Sequence, residues 1–126
     1  MIPSPRIGSV FFYVADIDRT ETFYRDVIGL SVERMPDDGS GHPWLNAVIP
    51  GNVDLIFFRG DVHPGNSPIL VFDLASGGID GIVAQLAAAG TQMVTPVSHA
   101  PGGWSSEFTD PDGYTFSLYQ AEALPR

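Results

Sequence analysis

The stretch FTDPDGYTFSLYQ, Phe108 to Gln120, decides the fold of this chain. Its first part, DPDG, has the composition of a tight turn. The residues that follow, YTFSLYQ, alternate between two faces as a half-buried strand does. The alternation places Thr115, Ser117 and Tyr119 on one face of that strand, which we predict looks inward. A serine at the midpoint of an inward face makes Ser117 a candidate site residue.

The remainder of the chain predicts a β-α-β-β-β module that occurs twice. Each half begins with a strand that ends at an aspartate, YVADI and VFDLA, and continues into a helix that a glycine closes. We expect an α+β fold with module one at about 6–60 and module two at about 66–120 of a single domain, 1–126. The loops PDDGSGHP and HAPGGW are expected to be mobile, and the tail AEALPR is expected to be frayed.

Composition excludes several classes of function. The 126 residues contain 15 acidic residues, six basic residues that are all arginine, and no cysteine, for a formal charge of -9. Nucleic-acid binding depends on cations that meet phosphates, so we expect no nucleic-acid partner. The absence of cysteine excludes disulfides and thiolate metal sites. Because no apolar run approaches the ~18 residues of a membrane span, we expect a cytoplasmic protein without a membrane partner.

Four stretches together resemble a known superfamily: SVFFYVADIDRTETFYRDVIGL, NVDLIFFRG, ILVFDL and FTDPDGYTFSLYQ. They are similar to the vicinal oxygen chelate proteins, which include glyoxalase I, bleomycin-resistance proteins and extradiol dioxygenases. The resemblance implies two βαβββ modules whose curved sheets enclose a cavity, with the helices outside. It also implies a homodimer.

The metal-dependent members of that superfamily bind a divalent ion through His, Glu or Gln from four strands. Counting from the motif aspartates and the DPDG turn transfers these positions to Ser9, Asp54, Ser67 and Ser117. Serine hydroxyls are weak ligands, and one carboxylate does not hold a transition metal. The histidines, His42, His63 and His99, all fall in predicted loops. The resemblance therefore points to the metal-free, bleomycin-resistance-like branch, and we expect no metal and no cofactor.

Strand alternation locates a binding site without the family. In strand one, Val10, Phe12 and Val14 should pack under the helix, whereas the other set should face the cavity. Aromatic walls with a few polar groups are typical of a site for a flat organic molecule. The predicted ligand-binding residues are Ser9, Phe11, Tyr13, Trp44, Asp54, Phe58, Trp104, Glu107, Ser117 and Tyr119.

The leading hypothesis is a non-enzymatic protein that sequesters an antibiotic or another bulky aromatic or cationic metabolite, in drug resistance or self-resistance. The cleft would be shared by two subunits. The alternative is a lyase- or isomerase-type enzyme of the same fold that uses Asp54 and Glu107 as acid and base, or an atypical metal. A third possibility is a domain without a small-molecule role, in which the protein's own side chains fill the cavity.

Overall fold

The computed structural model describes residues 1, 3–65 and 67–126, and the chain divides into two compact units, Met1–Val62 and His63–Arg126. Both units have the order β-α-β-β-β. The first unit contains β1 Ser9–Val14, α1 Ile17–Thr22 with a π-helical turn Phe23–Val27, β2 Ser31–Met35, β3 Trp44–Val48 and β4 Asp54–Arg59. The second contains β5 Leu70–Asp73, α2 Ile79–Ala88, β6 Gln92–Ala100, β7 Gly103–Thr109 and β8 Thr115–Ala121. The predicted duplication is confirmed.

Each unit forms one four-stranded sheet with the same topology. The strand order is β1-β4-β3-β2 in sheet one and β5-β8-β7-β6 in sheet two. The first and last strands of each unit run parallel, and the remaining pairs are antiparallel. A helix connects the first strand of each unit to the meander, which is the crossover that a parallel pair requires.

The two helices begin in different ways. Asp16 is the N-cap of α1, and its carboxylate accepts a hydrogen bond of 3.1 Å from the Arg19 N–H. Gly78 stands at the same point of α2 with φ +82° and no side chain to cap the helix. Within the described part of the chain, neither helix has the length and apolar character of a membrane span.

The core of the first unit lies between sheet one and its helix. Phe57 is fully buried and stacks on Phe12 at 5.4 Å between ring centroids, while Tyr24 of the helical segment packs on it at 4.6 Å. Val14, Leu45 and the other residues of this face alternate with more exposed neighbours along their strands. The predicted helix-facing set of β1 is therefore correct.

The core of the second unit has fewer rings than that of the first. Phe108 and Phe116 are buried neighbours on β7 and β8, with ring centroids 5.8 Å apart. The apolar face of α2 is formed by the buried residues Ile79, Val83 and Leu86. The same strand alternation thus builds a helix-covered face in both units.

The DPDG turn has the structure that its composition predicts. The Asp110 carboxylate accepts hydrogen bonds from the Asp112 and Tyr114 N–H groups, each at 2.9 Å. Gly113 has φ +87°, a conformation that a residue with a side chain rarely adopts. The turn sets the register between β7 and β8, which runs without interruption from Thr109 and Thr115 to the far end of the hairpin.

The expectation of a frayed tail is wrong. The main-chain oxygen of Pro125 accepts a 2.7 Å hydrogen bond from the Gly78 N–H, at the start of α2. The buried Gln120 side chain accepts from the Ile79 N–H at 2.9 Å and donates to the Leu124 carbonyl at 3.0 Å. The tail and Gln120 together satisfy N–H groups that Gly78 cannot cap.

Candidate ligand-binding site

Each sheet has one face that carries the helix and one that does not, and we call the latter the helix-free face. On sheet one the register places three residues from each strand on this face. They are Ser9, Phe11 and Tyr13 of β1; Asp54, Ile56 and Phe58 of β4; Trp44, Asn46 and Val48 of β3; and Ser31, Glu33 and Met35 of β2. The predicted site residues of the first unit all lie together on this face.

Four aromatic rings form a continuous cluster on the helix-free face of sheet one. Ring centroids are 5.1 Å apart between Tyr13 and Phe11, 4.8 Å between Phe11 and Phe58, and 5.3 Å between Phe58 and Trp44. Two of the rings are strongly exposed, Phe11 at 45% and Tyr13 at 51%. Aromatic surface that stays exposed on a packed sheet is a feature of binding sites.

Two aspartates organise the β2–β3 loop, and one of them, Asp37, also positions Trp44 at the edge of the cluster. Asp37 accepts from the Gly39 and Gly41 N–H groups at 2.8 Å each, and its main-chain oxygen accepts from the Trp44 indole N–H at 3.0 Å. Asp38 accepts from the Ser40 hydroxyl at 2.6 Å and from the Ser40 N–H at 2.8 Å. The segment predicted to be mobile is therefore closed by its own hydrogen bonds.

Polar groups stand beside the rings on the same face. Ser9 and Asp54 are direct partners on the parallel strands β1 and β4. Asn46 is the partner of Ile56 on one side and of Glu33 on the other. The face therefore combines a large apolar surface with hydrogen-bond acceptors at neighbouring positions.

The helix-free face of sheet two has a different character. Ser117 lies between Val71 of β5 and Glu107 of β7, and Tyr119 lies beside Ser105. Glu107 shares this face as the strand alternation predicts, and its carboxylate accepts a 3.2 Å hydrogen bond from the Thr95 hydroxyl. In place of the four-ring cluster of sheet one, this face combines Tyr119 with hydroxyls, the carboxylates of Glu107 and Asp73, and the aliphatic Val71.

Of the two aromatic site residues predicted in the second unit, Tyr119 lies on the helix-free face, whereas Trp104 does not. The Tyr119 hydroxyl donates to the Pro101 carbonyl at 3.0 Å, so it closes the β6–β7 turn. Trp104 pairs with Gln120 on the helix-covered side, next to His99 at 3.8 Å between centroids and under the Arg126 guanidinium at 4.0 Å. The structure therefore does not bring Trp104 to the helix-free face, because it is one residue out of phase with Ser105.

The loop predicted from HAPGGW also differs from the structure. Strand β6 extends to Ala100 and β7 resumes at Gly103, so only Pro101 and Gly102 connect them. A side chain at Gly103 would meet the Gln120 carbonyl at 1.9 Å. Glycine is therefore required where the hairpin approaches the adjacent backbone, and the segment is a turn of defined structure.

The donor set does not fit the divalent ion of the metal-dependent relatives. In sheet one the paired positions are Ser9 and Asp54. In sheet two the partner of Ser117 is Val71, whereas Ser67 precedes β5 and has no strand partner, so counting along the sequence chose the wrong residue. Sheet one thus presents one hydroxyl and one carboxylate at these positions, and sheet two presents one hydroxyl beside an aliphatic side chain, and neither pair is a strong set of ligands for a transition metal. No group of three His, Asp or Glu that suits a metal occurs among the residues that the structure describes.

A separate cavity in the first unit was not predicted from the sequence. It has a volume of about 360 Å³ and lies beside the start of α1, lined by Ala15, Asp16, Ile17, Asp18, Arg34, His42, Pro43 and Arg59. Arg34 donates to Glu21 at 3.1 Å and also to Asp18, and these bonds raise the pKa of the Arg34 guanidinium. The lining contains two arginines and two aspartates, so its formal charges balance and favour neither a cation nor an anion.

Comparisons with known proteins agree with this architecture. The family model described as Glyoxalase/Bleomycin resistance protein/Dioxygenase superfamily matches residues 6–118. No curated protein matches the sequence. TnmS3, an antibiotic binding protein from Streptomyces sp. CB03234, superposes with a TM-score of 0.77 at 21% identity, over 96% of this chain and 99% of that one.

Two further solved structures have the same fold. A member of the same superfamily from Sphaerobacter thermophilus has a TM-score of 0.75 at 21% identity, over 92% of this chain and 97% of that one. The fosfomycin resistance protein FosX from Listeria monocytogenes has a TM-score of 0.72 at 19% identity, over 96% of this chain and 95% of that one.

The fold is thus of the α+β class, with two βαβββ modules that each present one helix-free sheet face. The chain belongs to the glyoxalase/bleomycin resistance/dioxygenase superfamily.

Proposed function

We propose that this protein binds a flat aromatic small molecule on the helix-free face of sheet one and sequesters it without converting it. The ligand class is that of an antibiotic or a comparable bulky metabolite, so the biological role is resistance to that compound.

The exposed ring cluster is the observation that carries the proposal. Phe11 and Tyr13 keep about half of their surface accessible although they touch other rings. Side chains of this size are costly to leave in water, at roughly 25 cal/mol for each Å² of apolar surface. A planar ligand stacked on Phe11 and Phe58 would bury that surface and gain the offset ring contacts that aromatic groups prefer.

The relatives support a binding role at the level of the fold. TnmS3 is described as an antibiotic binding protein and FosX as a fosfomycin resistance protein. The first description names binding of an antibiotic, which is the role proposed for this chain. Homodimerisation and a cytoplasmic location are parts of the proposal that come from the family resemblance and from the composition.

A ligand screen by thermal shift tests the proposal directly. Flat aromatic natural products, present at ~100 times their dissociation constants, should add ~2.7 kcal/mol to the free energy of unfolding. Metal analysis of the purified protein accompanies the screen. A tightly held divalent ion in stoichiometric amount would contradict sequestration by a metal-free site, as would a screen without any stabilising aromatic compound.

A second candidate function is acid–base catalysis by the same fold. The observation that favours it is the position of Glu107, whose half-buried carboxylate is held by the Thr95 hydroxyl at 3.2 Å on the face that also carries Ser117. A carboxylate in a defined position can transfer protons. Mass spectrometry of the recovered ligand distinguishes the two functions, because sequestration leaves the ligand intact and catalysis converts it.

A further inference from the structure

Asn46 occupies the middle of β3, on the helix-free face of sheet one. Its neighbours along the strand, Leu45 and Ala47, are fully buried on the opposite face. Across the sheet, its register partners are Ile56 on β4 and Glu33 on β2. The carboxamide is therefore attached to a rigid part of the sheet, in the row of residues next to that of Trp44 and Phe58.

The side-chain oxygen of Asn46 has an unmet hydrogen-bonding requirement. Oδ1 is buried and receives no hydrogen bond from any residue that the structure describes. A buried acceptor without a donor costs about 1–3 kcal/mol, so such groups are rare in folded proteins and call for an explanation.

We propose that Asn46 selects the ligand, which carries an N–H or O–H donor at its edge and donates it to Asn46 Oδ1 while its flat body lies on the ring cluster. This inference rests on the proposed function and specifies the ligand further. The Trp44 indole N–H is already donated to Asp37, and the Phe11 and Phe58 rings have no polar group. Beside these rings, Asn46 Oδ1 is a buried acceptor that no described residue has paired.

The amide is able to meet such a ligand. Asn46 as a whole is half-buried, and no described hydrogen bond holds its carboxamide in one orientation. Because the register places Asn46 on the helix-free face, rotation about its side-chain bonds would turn Oδ1 toward a ligand bound there. A ligand without a donor leaves the acceptor unpaired, and for that reason a polar site rejects it more strongly than an apolar site would.

A pair of matched probes tests this selection: indole, which has one N–H donor, and benzofuran, which has the same shape and an oxygen in its place. Each is titrated into the full chain and followed by ¹H–¹⁵N NMR, for the native protein and for the Asn46→Leu variant. The native protein should bind indole about 3- to 10-fold more tightly than benzofuran, as one hydrogen bond provides. In Asn46→Leu this ratio should fall to about one.

Two controls separate this inference from the proposed function. Phe11→Ala should weaken both probes and leave their ratio unchanged. Asn46→Leu should unfold at a higher temperature than the native protein, because an unsatisfied acceptor is removed. If leucine disturbs the packing, the smaller substitution Asn46→Ala should likewise bring the ratio of indole to benzofuran affinity to about one.

Each outcome decides the inference. If Phe11→Ala weakens both probes but the Asn46 variants keep the native ratio, a water molecule satisfies the amide and the selection is refuted, while the proposed function stands. If neither probe binds the native protein or neither responds to Phe11→Ala, the proposed function and the inference fail together.

Discussion

The two units share one plan but differ in how their helices begin and in what their helix-free faces carry. Helix α1 begins at Asp16, a local side-chain cap, whereas α2 begins at a glycine and depends on Gln120 and the tail, 41 residues or more further along the chain. The helix-free face of sheet one carries a ring cluster, while that of sheet two carries hydroxyls, Val71 and Glu107. The two units therefore share their strand order and backbone plan, but they differ in the side chains available for binding and in the contacts that stabilise their helices.

The largest expected effect concerns the helix starts. Gln120→Leu should lower the free energy of unfolding by about 2 kcal/mol, because the Ile79 N–H and the Leu124 carbonyl lose their partner inside the second unit. Asp16→Ala, the matching change in the first unit, should cost about 1 kcal/mol, since its cap is exposed. Urea denaturation measures both. Equal losses would show that the long-range cap of α2 has no more weight than a local one.

The next effect concerns the two helix-free faces. Phe11→Ala should weaken the aromatic ligand about tenfold, because stacking on an exposed ring contributes on the order of 1.4 kcal/mol. Val71→Ala is its control, on the equivalent first strand of the second unit and 59% exposed. It should leave affinity within about twofold by calorimetry. A comparable loss in both variants would mean that the ring cluster is not the distinctive binding surface.

A smaller effect is expected from Asp54 and Glu107, the carboxylates predicted as site residues on the two helix-free faces. Asp54→Asn and Glu107→Gln should each change ligand affinity by only about threefold, because both side chains are half-buried, remain partly hydrated and keep a hydrogen-bonding group after the substitution. Mass spectrometry after prolonged incubation should recover the ligand intact with the native protein. Conversion that disappears in either variant would instead establish the acid–base function.

The smallest effect concerns the β2–β3 loop of the first unit. Hydrogen bonds from the Ser40 hydroxyl and then from its N–H lower the pKa of the Asp38 carboxyl below its ordinary value of 3.8. A lowered pKa means that these bonds stabilise the loop above pH 3.8 and are lost as the pH falls through the lower value. Carboxyl NMR titration should show a higher midpoint in Ser40→Ala than in the native protein. An unchanged midpoint would show that Ser40 does not hold Asp38.

Much of the fold was predictable, because hydrophobic alternation and turn composition act locally. The β-α-β-β-β repeat, the Asp16 cap and the faces of β1 and β4 all follow from neighbouring residues. Strand alternation also predicts that Trp104 and Ser105 lie on opposite faces of β7, and that Asn46 shares a face of β3 with Trp44. Trp104 was nevertheless predicted as a site residue because it begins a strand beside a loop, and Asn46 was not predicted as one.

The remaining differences depend on register and on distant backbone, which a single sequence does not encode in any local pattern. The register between β5 and β8 pairs Val71 with Ser117. Counting residues from a sequence motif does not predict this register, and it selected Ser67 instead. The tail contacts α2 through main-chain oxygens of Pro125 and Arg126 and through an ion pair of 2.9 Å between Arg126 and Asp80. These partners are more than 40 residues apart in the sequence, so no local pattern predicts the contact.

The two tryptophans lie in different surroundings, which makes their fluorescence useful for following each unit. The chain has two, Trp44 in the first unit and Trp104 in the second. Trp44 lies against Phe58 with its N–H donated to Asp37, whereas Trp104 lies under the Arg126 guanidinium beside His99. Indole fluorescence depends on nearby charge and on quenching groups, so the two tryptophans should differ in emission wavelength and intensity. Replacing Trp104 by phenylalanine would leave Trp44 as the reporter of the first unit, and replacing Trp44 would leave Trp104 as the reporter of the second. Comparing the two variants would then show, without any label, which unit unfolds first.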